Sequence, residues 1–162
     1  MQKLVVSMIA AAAFASACQT ATIPTTLTDP PRDTANPARM EVLHIPSGGV
    51  EINGVAYLAS GAGTHPTLVI AHGWPGNEKN LDLAQAVRRA GWNAVTFNYR
   101  GSWGSPGDFH FTQVPEDATA VIAYLRQPEV AAKYGVDPKR IALAGHSMGG
   151  WLVMEALRQL RQ

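Results

Sequence analysis

The chain has 162 residues, enough for one modest domain. With 46% apolar and 15% charged residues and a formal net charge of +1, it has no basic stripe to hold nucleic acid. No apolar stretch reaches the roughly 20 residues that a membrane-crossing helix requires.

The first residues read as an export signal. Met1, Gln2 and Lys3 give a short positive region, residues 4–14 are apolar and alanine-rich, and Ala15, Ser16 and Ala17 make a small-residue cleavage site. Cys18, the only cysteine, follows directly, and a single cysteine closes no internal disulfide. Its place behind Ala-Ser-Ala resembles a bacterial lipoprotein signal, although Ala15 stands where leucine is usual. That resemblance implies export from a bacterial cytoplasm and contact with a membrane only through a lipid anchor at Cys18. A plain secretory signal, giving a periplasmic or secreted protein, is the alternative. The organisation is then a signal peptide over 1–17, a Thr/Pro-rich tether over 18–39 and a folded domain over 40–162. The tether has no apolar period of 2 or 3.6 and reads as extended chain, with an ordered strap lying on the domain as the other possibility.

From residue 40 the elements follow in order. Residues 41–45 and 50–58 read as strands around a turn at Pro46, Ser47, Gly48 and Gly49. Residues 67–71 are an unbroken apolar run, the mark of a strand buried on both faces. Asn77 is placed to cap a helix whose Leu83, Ala84, Val87 and Ala90 share a face and which Gly91 ends. Residues 94–97 give another buried strand. Pro115 suits the first turn of a helix carrying Ala118, Val121, Ile122 and Leu125 at helical spacing, stopped by Pro128. A helical turn to Tyr134, closed by Gly135, leads through Asp137 and Pro138 to a strand over 141–144. Val153, Ala156, Leu157 and Leu160 form the apolar stripe of a last helix, with Glu155, Arg158 and Arg161 opposite. Apolar strands alternating with helices predict an α/β fold, a parallel sheet covered on both faces.

Gly145, His146, Ser147, Met148 and Gly149 form a G-x-S-x-G run at a strand-to-helix junction. A sharp turn there lifts the serine above the sheet in a strained conformation, and side chains at 145 and 149 would collide with neighbouring elements. The free N–H groups of the helix start favour developing negative charge. A tight turn without chemistry is the plain alternative. After the earlier buried strand come His72, Gly73, Trp74, Pro75 and Gly76, a His-Gly-x-Pro-Gly run that resembles the oxyanion loop of α/β-hydrolases. This resemblance implies that the backbone N–H groups of Trp74 and Met148 form an oxyanion hole. Asn98, Tyr99, Arg100, Gly101, Ser102, Trp103, Gly104 and Ser105 resemble an N-Y-R-G segment of the same superfamily, with Arg100 in a structural pairing role.

From residue 40 to 162 the chain thus resembles the α/β-hydrolase superfamily. The type is a serine esterase or peptidase, of a dienelactone-hydrolase-like or prolyl-oligopeptidase-like branch. Ser147 is the implied catalytic nucleophile, and serine there argues against the branches that attack with aspartate. Small-molecule or peptide acyl substrates are implied, with no cofactor and no metal. A serine nucleophile also needs a histidine base and an acid to orient it. In this fold they follow the serine, yet after Ser147 there is no histidine, and the only acid is Glu155, read as a solvated surface residue. Of the histidines upstream, His146 is expected to pack beneath the elbow, His72 to hold the oxyanion loop, and His44 and His65 to lie near the first hairpin. Among them, His110 is the candidate to approach the pocket. The expectation is an α/β-hydrolase fold represented by its N-terminal half, inactive as it stands. The alternative is a non-catalytic exported lipoprotein that uses the half-fold as a binding module.

Overall fold

The computed structural model describes residues 27–159. The signal sequence, Cys18 and residues 160–162, including Leu160 and Arg161, lie outside the described residues, as does the side chain of Leu157. Five strands form one sheet: β1 Arg39–Ser47, β2 Val50–Leu58, β3 His65–Ala71, β4 Asn93–Phe97 and β5 Val136–Gly145, in the order β1-β2-β4-β3-β5. β1 and β4 each pair antiparallel with β2, while β3 pairs parallel with β4 and β5. Only β2 therefore runs against the rest, and the predicted mostly parallel sheet stands.

Helices cover both faces. α1, Leu81–Arg89, packs Ala84 and Val87 against Tyr57, Ile70 and Ala94 on one side. On the other side lie α2 Val114–Arg126, α3 Pro128–Tyr134 and α4 Met148–Gln159. They enclose the main core, in which Leu43, Ile45, Ile52, Val69, Phe97, Val121, Leu125 and Leu152 are buried. β1 alternates, with Leu43 and Ile45 inward and Val42 and His44 exposed, whereas every residue of β4 is buried. The unbroken apolar runs mark the interior strands because both their faces carry helices.

Several boundaries differ from expectation. Asn80, not Asn77, stands at the start of α1, in a left-handed conformation without a side-chain cap. Residues before it belong to the loop, where the Lys79 ammonium donates to Asn98 Oδ1. Leu83 and Ala90 are exposed, so the buried stripe of α1 is narrower than predicted. β5 begins at Val136, so Asp137 and Pro138 lie inside the strand instead of leading to it. On α4 the fully buried residue is Leu152, which the predicted stripe omitted, with Val153 and Ala156 half-buried. β1 and β5 are the two edges of the sheet among the described residues. Of the Thr/Pro-rich stretch, residues 27–38 lie along the domain: Asp29 pairs with Arg88 and Arg89 of α1, and Asn36 O accepts from Gly61 N at 3.0 Å.

Candidate active site

Ser147 sits between the end of β5 and the start of α4, with φ at +54°. A non-glycine residue in the left-handed region costs about 1–3 kcal/mol and persists only where its surroundings impose it. The surroundings here are backbone. A Cβ on Gly145 would lie 2.1 Å from Gly149 O, and one on Gly149 would lie 2.1 Å from Ala71 O. The first turn of α4 is thus pressed onto the ends of β3 and β5, and His146 N donates to Ala71 O at 3.2 Å to close the junction. Met148, buried, is the first residue of α4, where an N–H has no carbonyl one turn back within the helix.

The loop after β3 comes up beside this turn. A Cβ on Gly73 would stand 3.0 Å from Ser147 Cβ and 3.2 Å from His146 Nδ1, so any larger residue would push the two apart. Trp74 follows, exposed, and the Trp74–Pro75 peptide is cis. Hydrogen bonds fix this loop on both sides of Trp74. The Tyr99 hydroxyl donates to His72 O at 3.0 Å, and the Trp103 indole N–H donates to Pro75 O. Trp103 in turn lies under Lys79, whose ammonium is 5.6 Å from the ring centre.

His72 is buried, its ring 4.5 Å from that of Tyr99. With Gly73 O 2.7 Å from Nδ1, that nitrogen is the donor, and Nε2 is a buried acceptor without a hydrogen-bond partner among the described residues. Burial holds the imidazole below its usual pKa, so the ring is neutral and serves to brace the loop. Burial likewise pushes the Tyr99 phenol up and Lys79 down.

The other histidines fall as follows. His146, expected beneath the elbow, is exposed, because it follows β5, an edge strand of the sheet among the described residues. His44 is exposed on β1, and His65 opens β3 with Gly91 O 3.0 Å from Nδ1. His110 is exposed and makes no hydrogen bond to Ser147. Glu155 is half-buried, not solvated, and holds Arg158 at 2.7 Å in the cleft between α2 and α4.

Arg100 takes the structural pairing expected of it. Its Nε donates to Asp117 Oδ1 and another guanidinium nitrogen to Glu116 Oε2, each at 2.6 Å. Asp117 itself escaped sequence reasoning. It is 1% exposed, and accepts also from Ser47 Oγ at 2.6 Å and Arg100 N at 3.0 Å. The signal was present, since Asp117 precedes Val121 by four residues and so shares its inward face. Tyr99 and Trp103 stand within the N-Y-R-G segment, where no local pattern displays their role as braces.

The arrangement sets a hydroxyl on a strained turn, at a helix start, against a loop held from two sides. A model of the Alpha/beta hydrolase family matches residues 68–161, which hold Ser147, the loop that meets it and both of its braces, Tyr99 and Trp103. An uncharacterised protein of Mycobacterium tuberculosis is 29% identical over 114 residues, covering 70% of this chain and 39% of its own length. Arylacetamide deacetylase of Rattus norvegicus is 33% identical over 60 residues, 37% of this chain and 15% of that enzyme. Among solved structures, the thermostable carboxylesterase EstE1, cloned from a metagenomic library, matches with a TM-score of 0.60 at 26% identity, over 78% of this chain and 43% of its own. The chain spans less than half the length of each of these relatives. A family match over more than half of the sequence, on a sheet of this order, leads to one conclusion: the chain belongs to the alpha/beta hydrolase family.

Proposed function

We propose that this protein is a serine hydrolase that cleaves an ester or amide by acyl transfer, with Ser147 as nucleophile. The observation that carries the reading is the strained φ of +54° at Ser147, with the Gly73 loop in contact. Ser147 Oγ attacks the carbonyl carbon, and its proton passes by way of a base to the departing alcohol or amine as the old bond breaks. The N–H groups of Trp74 and Met148 receive the oxyanion, each such donor being worth about 3–4 kcal/mol of barrier. No described histidine is hydrogen-bonded to Ser147. The likeness to a deacetylase, 33% identical over 60 residues, and to a carboxylesterase, 26% identical, supports acyl transfer over other hydrolase reactions.

The full chain, meaning one that supplies Ser147 with a base, should hydrolyse p-nitrophenyl esters, and Ser147→Ala should lower its kcat by at least about 10³-fold; the 162 residues alone should show no serine-dependent turnover. An unchanged kcat in that variant sinks the assignment. The same proposal puts the protein outside a bacterial cytoplasm, anchored through lipidated Cys18, on the strength of the signal-like N-terminus. Radiolabelled palmitate should enter the wild-type protein and not Cys18→Ser; a soluble product with an unmodified cysteine would leave only the secretory alternative.

A further inference from the structure

Trp74 offers the site more than a backbone N–H. It follows Gly73, whose added Cβ would sit 3.0 Å from that of Ser147, so Trp74 stands one residue from the contact with the elbow. The indole stacks on Phe109 with ring centres 4.3 Å apart and planes at 28°. Phe111 closes the group, 5.7 Å from Trp74 and 5.2 Å from Phe109, meeting the latter edge to face. These are the offset and edge-on arrangements that aromatic rings favour, so the three rings hold one another in place. Yet Trp74 remains 51% exposed and Phe111 53% exposed. Ordered aromatic surface left open to solvent marks a place where something apolar docks. Trp103, the other exposed aromatic on this loop system, differs. Its indole N–H is taken by Pro75 O and Lys79 lies over its ring, so it serves as a brace.

Resting on the reading of Ser147 as nucleophile, we propose that Trp74, Phe109 and Phe111 form a wall that receives an apolar, aryl-bearing group of the substrate, making arylalkyl esters the preferred class over short-chain ones. Trp74 of the wall belongs to the loop that supplies the oxyanion donor, and Phe109 and Phe111 pack onto it from the segment after β4, so docking of the aryl group and alignment of the carbonyl are coupled. Aromatic contacts then act on the reacting end of the substrate instead of merely raising its affinity.

Two measurements on the full chain separate this inference from the reading beneath it. The first is the rate at which Ser147 is phosphonylated by a 3-phenylpropyl and by an ethyl fluorophosphonate. The aryl probe should react at least about tenfold faster, the scale on which apolar pockets discriminate. That ratio should fall severalfold in Phe111→Ala and in Phe109→Leu, and stay unchanged in Leu83→Ala, on α1. A ratio near unity in the wild type, or one indifferent to both wall variants, overturns the proposal while leaving Ser147 intact. The second is saturation-transfer NMR of 3-phenylpropionate and propionate with Ser147→Ala, which needs no nucleophile. Transfer to the phenyl protons that is lost in Ser147→Ala/Phe111→Ala supports the wall even if no probe labels the serine. Equal transfer to both acids, or none, contradicts it.

Discussion

At Gly149 an added methyl group would stand 2.1 Å from Ala71 O, a backbone atom at the end of β3 that has nowhere to move. One residue on, the nearest atom to a Cβ at Gly150 is Gly145 O at 3.4 Å, an ordinary contact. Gly149→Ala should therefore lower stability by about 1–3 kcal/mol, as overpacking does, and loosen the elbow. Gly150→Ala, inside α4, should be neutral or stabilise by up to about 1 kcal/mol through helix propensity. Thermal unfolding of the two variants checks this, and equal melting temperatures would contradict it. His72 gives a pH signature. Burial lowers its folded pKa beneath the usual value of about 6.5, so the unfolded chain binds a proton that the folded chain refuses. Stability contributed by this residue is complete above about pH 6.5 and falls as pH drops through that value towards the folded one. In His72→Gln the decline of melting temperature between about pH 7 and pH 5 should be shallower than in the wild type. An identical decline would show that the neutral ring is not what makes the fold acid-sensitive.

Between elements, the most consequential contact is the one joining β1, the segment after β4 and α2. Asp117 on α2 accepts from Ser47 of β1 and from both the backbone and the side chain of Arg100. Removing a buried partner leaves the other charge uncompensated, so Asp117→Ala should cost about 3–5 kcal/mol, read as a shift of the urea midpoint. A midpoint within error of the wild type would mean that Glu116, the second partner of Arg100, suffices alone. The strands and α2 were legible because burial leaves a pattern in the sequence: β4 is buried throughout, with Ala94, Val95 and Phe97 apolar, and Ala118, Val121 and Leu125 fall on one face. The start of α1 was not, since Lys79 is drawn to Asn98, a partner 19 residues away that no local pattern displays. The extent of β5 was also hidden. Pro138 is a poor strand residue, tolerated here beyond the point at which β3 pairs regularly with β5.

Across the whole molecule, the site was read further than its surroundings. The elbow and the loop that meets it are specified by short runs of glycine and proline, whose steric demands are local and therefore visible in sequence. Which side chains brace them, Tyr99 and Trp103, depends on the sheet order that brings β4 beside β3, and only the fold supplies that. The same order leaves β5 at one edge of the sheet among the described residues, and His146 is exposed beside Ser147. The central claim is that the strained serine is a nucleophile, and covalent capture tests it most directly. The full chain is treated with a fluorophosphonate and the modified peptide is identified by mass spectrometry. The account predicts a single adduct on Ser147 that is absent from Ser147→Ala and suppressed by prior denaturation. An adduct on another residue, or labelling that survives Ser147→Ala, would contradict it.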